Sequence, residues 1–150
     1  MNQIRRLQNV FFFLVIVCLP GLCLAVSKEH KNYYNRLVGY WYSFQHQNGI
    51  NGDIQSMTHL KTDGTFELRL RVVKARQVIY EQRETGVWDL KNNVHSTITT
   101  HINGHHLNTD DYLFDFYDIN WISGQEMHYL HIGTGIKLEA KRVNKGFRFP

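Results

Sequence analysis

Leu37-Val38-Gly39-Tyr40-Trp41, read against Ile136-Lys137-Leu138-Glu139-Ala140-Lys141-Arg142-Val143, decides the fold. Successive side chains of an extended strand point to opposite faces. In the later stretch Ile136, Leu138, Ala140 and Arg142 therefore share one face, and Lys137, Glu139 and Lys141 share the other. Arg142 lands on the apolar face, where a guanidinium needs partners. Trp41 can supply one if the first and last strands are neighbours, with the guanidinium lying over the indole. A sheet whose two ends meet is a barrel, and closure removes its exposed edges. Gly39, Trp41 and Arg142 are accordingly expected to be structural.

Working outward from these ends, the chain reads as eight short strands: Val38 to Gln47, Ile54 to Leu60, Thr65 to Val73, Val78 to Leu90, Val94 to Ile102, Tyr112 to Trp121, Glu126 to Ile132 and Ile136 to Asn144. The clearest is the third, with Phe66, Leu68, Leu70 and Val72 on one side and Thr65, Glu67, Arg69 and Arg71 on the other. Between the strands lie residues that tolerate positive φ in hairpin turns, such as Thr62-Asp63-Gly64, Lys91-Asn92-Asn93, Asn103-Gly104 and Gly133-Thr134-Gly135. The expected architecture is all-β, an eight-stranded antiparallel up-and-down barrel. The polar segment Ser27 to Asn35, carrying Tyr33 and Tyr34, is expected to form a short helical turn that plugs one end.

Ahead of it, Arg5 and Arg6 precede the apolar run Val10 to Val17, and Pro20-Gly21 precedes the small residues Cys23 and Ala25. This is the pattern of a signal peptide spanning residues 1–25, too short in its apolar run for an ordinary membrane span. Leu22 stands where a lipoprotein signal wants a small residue before its cysteine. Residues 26–150 then form one domain without cysteine, since both cysteines, Cys18 and Cys23, lie in the leader. An exported domain without disulfides points to a periplasmic or secreted location and must draw its stability from its core. With Arg5 and Arg6 set aside from the 17 basic and 13 acidic residues, the net charge is about +2. Such a weak, interspersed charge argues against nucleic acid as a partner. A monomer with no membrane span after cleavage is expected.

The combination of Gly39-Tyr40-Trp41 on the first strand and Arg142 on the last, with Thr62-Asp63-Gly64-Thr65-Phe66 and Glu84-Thr85-Gly86-Val87-Trp88 between them, resembles the lipocalin-like members of the calycin superfamily, and in particular their short bacterial domains. The resemblance spans roughly Leu37 to Val143. It implies a central cavity that holds a small ligand. Two departures separate the chain from typical lipocalins. Thr109-Asp110-Asp111-Tyr112 has an inserted Asp and precedes the sixth strand, and the tail Lys145 to Pro150 leaves no room for a helix after the eighth.

Alternation assigns a lumen. The first strand contributes Trp41, Ser43 and Gln45, and the third Phe66, Leu68 and Leu70. The fourth gives Tyr80, Gln82, Glu84 and Trp88, and the fifth Ile98 and Thr100. Phe114, Phe116, His128, Leu130 and Leu138 complete the set from the last three strands. Small barrels are either filled by side chains or just wide enough for one small ligand, and both outcomes fit this list. The binding alternative places the apolar body of an amphipathic molecule on Phe66, Leu68, Leu70, Tyr80, Phe114 and Phe116, with its polar end near Gln82, Glu84 or His128. The filled alternative is an interaction module docking through the outward aromatics Tyr40, Tyr42 and Phe44.

Other chemistry finds less support. An Asn103-Gly104 turn would oppose His101 to His106, but two imidazoles fall short of a stable metal site. Asp110, Asp111, Asp115 and Asp118 match no calcium-loop spacing. No nucleophile elbow, zinc-protease helix or phosphate loop occurs in the sequence, so no enzyme activity or cofactor is expected. Glu84 and His128 are the one acid and base pair that a shared lumen would allow.

Overall fold

Hairpin chemistry lays out the path of the chain. The computed structural model describes residues 32–47, 49 and 51–150; the signal peptide expected over residues 1–25 lies outside them. A short helix at 32–37 leads into nine strands. These are β1 (Gly39–Gln47), β2 (Gly52–Leu60), β3 (Thr65–Lys74), β4 (Gln77–Lys91), β5 (Val94–Ile102), the two-residue β6 (His105–His106), β7 (Leu113–Ile122), β8 (Glu126–His131) and β9 (Lys137–Val143). Apart from the small β6 ladder, each bound falls within two residues of the sequence expectation. Asn92 and Asn93, and Asn103 with Gly104, take positive φ as two-residue hairpin turns require. Ala75 and Arg76 do the same at φ 48° and 64°, although neither residue type favours that region.

All pairings are antiparallel, and the order β4-β3-β2-β1-β9-β8-β7-β5 is closed by a further β4–β5 ladder. The result is a closed eight-stranded antiparallel β-barrel, compatible with a lipocalin-like fold. β6 only extends the tip of the β5 hairpin, pairing His101 with His106 and Ile102 with His105. Among the described residues no helix is long and apolar enough to cross a membrane.

The seam between β1 and β9 puts Trp41 directly opposite Arg142. The Arg142 guanidinium carbon sits 4.3 Å from the indole centroid. Its nitrogens donate to the carbonyls of Gly124 at 2.7 Å and Val38 at 2.8 Å, and to that of Arg36. Trp41 Nε1 donates to the Leu37 carbonyl at 2.6 Å, so the same seam also anchors the end of the helix. Leu37, Trp41, Leu60, Phe66, Trp88, Ile122 and Met127 are all buried here and form the closed floor. Tyr34 stacks on Trp88 at 4.5 Å, which makes the helix part of that floor.

Three irregularities shape the wall. β4 is displaced against β5 between Thr85 and Gly86, β3 against β4 between Val72 and Val73, and β7 against β8 between Ile119 and Trp121. At the first, a side chain on Gly86 would collide with the Ile98 backbone carbonyl, so the close approach of the two strands needs a glycine. At the third, the extra residue lets both Ile119 and Ile122 face the core and turns Trp121 outward.

Gly39 adopts φ 134°, and a Cβ there would run into Arg142 Nη1. Gly39→Ala is therefore expected to lower stability by about 1–3 kcal/mol through strain at this seam. Trp41→Ala should lower it by about 3–5 kcal/mol, as for a large aromatic removed from a closed floor. Urea unfolding of the two variants checks both values. A loss under about 1 kcal/mol for Trp41→Ala, the ordinary range for surface positions, would contradict its role in closure.

Candidate functional site

The lumen above the floor is not filled. A cavity of about 180 Å³ runs between the strands, and every strand from β1 to β9 except β6 contributes to its wall. Phe66, Leu68, Leu70 and Leu138 supply much of its apolar surface, as their alternation in sequence predicts. The polar part comes from Ser43, Gln45, Ser56, Thr58, Glu84, His95, Thr97, Asp115, Tyr117 and Tyr129. Glu84 accepts from Thr99 Oγ1 at 2.8 Å and from Gln82 Nε2 at 2.7 Å. Tyr80 donates to Gln82 in turn, continuing this chain of contacts toward the open end of β4, where Tyr80 is about half exposed.

Three of the residues expected to contact a ligand face away from the lumen. Phe114 and Phe116 are 57% and 47% exposed on the outside of β7, and His128 stands on the outside of β8 beside Trp121 and Glu139. Ile98 and Leu130 are likewise on the other face from that expected, and Thr100 is the unpaired residue at the β4–β5 irregularity, the inward positions of β5 and β8 being taken by His95, Thr97, Thr99, Met127 and Tyr129. The cause lies in hairpin register. The two-residue turn Asn92-Asn93 pairs Lys91 with Val94 and hence Trp88 with Thr97, so an inward Trp88 makes Thr97 inward. Thr97 in turn opposes Asp115 on β7, and His95 opposes Tyr117. Each strand beyond the turn inherits this phase. The signal was therefore present in Asn92-Asn93 together with Trp88. Aromatic residues on both faces of β7 hid it. The Glu84 and His128 pair is not assembled, because the two side chains lie on opposite sides of the wall.

The wall missed in sequence is the more informative one. His95 sits between two aromatic neighbours, edge-on to Trp88 at 5.7 Å and nearly parallel to Tyr117 at 5.6 Å. Burial pulls its pKa down from 6.5 to about 4, so the imidazole is neutral near pH 7. Burial pushes the Tyr117 phenol up, reinforced by Asp115, Tyr129 and Glu84; Tyr129 is also raised by burial, against the opposing effect of Ser43. Asp115 is engaged by His131 Nε2 at 3.1 Å, and His131 Nδ1 lies 2.7 Å from Thr134 Oγ1.

Outside the barrel, His101 and His106 approach at 3.3 Å and Tyr112 lies 3.4 Å from His106. Among the described residues no group of three or more His, Cys, Asp or Glu side chains is placed to hold a metal ion. The outward aromatics of β1 are partly covered by the chain's own tail. Tyr40 stacks on His59 at 3.9 Å, Tyr42 packs against Phe147 at 5.0 Å, and Phe149 lies over the Arg71 guanidinium at 4.3 Å. Phe44 alone of the three remains about half exposed.

The fold and site thus define a closed antiparallel barrel with an aromatic, partly polar internal cavity. No family model matches the chain, and no curated protein matches it.

The depressed pKa of His95 links folding to pH. The unfolded chain takes up a proton near pH 6.5 and the folded one only near pH 4, so unfolding binds a proton in between and stability falls as pH falls. The shift corresponds to stabilisation on the order of 3 kcal/mol, fully present above about pH 6.5 and lost as pH falls to about 4. Between pH 7 and pH 4.5, wild type is expected to lose on the order of 2 kcal/mol more than His95→Leu. Urea titrations of both proteins at the two pH values check this, and equal losses would contradict the neutral, buried state of His95.

Proposed function

We propose that this chain is an exported, lipocalin-like binding protein that holds or carries a small, largely hydrophobic molecule in the barrel. One observation carries the reading: the cavity of about 180 Å³ in a lumen that side chains leave unfilled. Apolar cavities of roughly 150 Å³ accept a benzene-sized guest, whereas drug-sized ligands need about 300 Å³ or more. The fitting molecule is accordingly compact. Its apolar body would lie on Phe66, Leu68, Leu70 and Leu138, with polar contacts on the β4, β5 and β7 side. A periplasmic or secreted site of action follows from the leader-like pattern of residues 1–25, and membership of the calycin superfamily from the Gly39-Tyr40-Trp41 and Arg142 signature.

Binding suits the site better than catalysis. Its two lumenal carboxylates are already engaged, Glu84 by Thr99 and Gln82 and Asp115 by His131. The alternative of docking through Tyr40, Tyr42 and Phe44 is weakened by the tail residues packed against Tyr42.

Ser56 lines the cavity from β2, and Ser56→Phe would place a ring in the empty space. Overpacking typically lowers stability by about 1–3 kcal/mol, and a folded barrel is expected. Ligand-observed NMR with one-ring and two-ring hydrophobic compounds should show binding to wild type and its loss in Ser56→Phe. Equal binding by both proteins would place the guest elsewhere, and no binding to wild type would overturn the carrier reading.

A further inference from the structure

One residue of the cavity wall carries a buried polar atom that the chain itself leaves without a partner. Among the described residues, His95 Nε2 is the buried side-chain nitrogen or oxygen that makes no hydrogen bond. His95 is only 6% exposed, yet its ring forms part of the cavity wall. A buried polar group in that state is costly unless something completes it. Trp88 and Tyr117 fix the plane of the ring from two sides. A half-turn about χ2 keeps that plane and exchanges the edges that the imidazole presents, so either edge can be turned to the lumen without disturbing the stack.

The neighbours of His95 narrow what could complete it. Glu84 and Asp115 stand in the same wall, so an anionic guest would meet two carboxylates with no cation to balance it, since the desolvated imidazole is neutral. A cationic guest would shed its hydration to meet carboxylates that Thr99, Gln82 and His131 already hydrogen-bond, a desolvation cost that a neutral guest does not carry. A neutral guest with a hydroxyl group meets the remaining need. A hydroxyl both donates and accepts, so it satisfies an imidazole nitrogen in either tautomer. Tyr117, Tyr129 and Phe66 line the space beside it, which favours a flat ring as the apolar body.

Building on the carrier reading above, we propose that the barrel selects neutral one- or two-ring compounds bearing a hydroxyl, with phenol as the simplest member, and that His95 hydrogen-bonds to that hydroxyl. His95 is a specificity residue that tells a hydroxylated ring from a plain hydrocarbon of the same shape.

Phenol, toluene and benzoate form the test set, since toluene replaces the hydroxyl by a methyl group and benzoate adds a charge. Calorimetric titration of wild type should detect phenol and toluene but not benzoate. In His95→Leu the phenol-to-toluene affinity ratio should fall about tenfold, as expected for one lost hydrogen bond. In wild type labelled with ¹⁵N-histidine, phenol but not toluene should shift an imidazole nitrogen of His95, a readout that stands even if the variant does not fold. Toluene binding with an unmoved nitrogen signal and an unchanged ratio would overturn the role of His95 while leaving the cavity reading intact. Benzoate binding as tightly as phenol would overturn the selection for neutral guests. Failure of phenol and toluene alike to bind wild type would overturn the carrier reading and this inference with it.

Discussion

Arg142 joins the two ends of the sheet, and the rest of the architecture depends on that junction. The guanidinium lies over Trp41 and donates to three backbone carbonyls, those of Arg36 and Val38 ahead of β1 and of Gly124 in the turn before β8. A partly buried cation is stable only when so supplied, which makes the site self-selecting: the last strand must lie beside the first. Gly39 leaves the room for it. Trp41 then holds the helix through Leu37, and Tyr34 on that helix covers Trp88. A single cation thus couples sheet closure to the sealing of one end.

Sealing the floor with large side chains leaves the middle of the barrel to smaller and more polar ones. Above Trp41, β1 continues with Ser43 and Gln45, and β2 presents Ser56 and Thr58 above Leu60. Thr97 and Thr99 occupy the corresponding places on β5. Serine and threonine at inward positions remove the volume that would otherwise fill an eight-stranded barrel. The cavity is therefore a consequence of residue size as much as of strand number. Glu84, His95, Asp115 and Tyr117, four of its titratable groups, lie where β4, β5 and β7 adjoin, and there burial shifts both His95 and Tyr117 toward their neutral forms. Exposed ion pairs such as Lys61 with Glu67 and Arg69 with Glu81 decorate the outer wall and contribute little to this arrangement.

How much of this was legible varies along the chain. Strands β1, β3 and β9 alternate cleanly between apolar and polar residues, so their inward faces could be read directly. In β5 the order is reversed, with His95, Thr97 and Thr99 inside and Ile98 outside, because a cavity wall admits polar residues that a packed core would reject. β7 carries apolar residues on both faces, Phe114 and Phe116 against Leu113, Tyr117 and Ile119, and alternation alone has no preference between them. β8 mixes residue types in the same way, His128 and Leu130 against Met127 and Tyr129, so alternation alone does not place His128. The Ala75-Arg76 turn lacked any residue signature, and hairpin pairing imposed its positive φ.

The sequence by itself determined the number of strands, their hairpin connections and the closure of first on last, because these depend on local turn chemistry and on one inward charge that had to be met. Tertiary structure decided which face of β5, β7 and β8 looks inward, and so which residues form the site. That choice is made by register passed from strand to strand around the barrel, and a one-residue slip exchanges every inward side chain for an outward one. The unpartnered nitrogen of His95 belongs to the same category. Only the packed structure shows that it is buried, in a ring flanked by two others and belonging to the cavity wall.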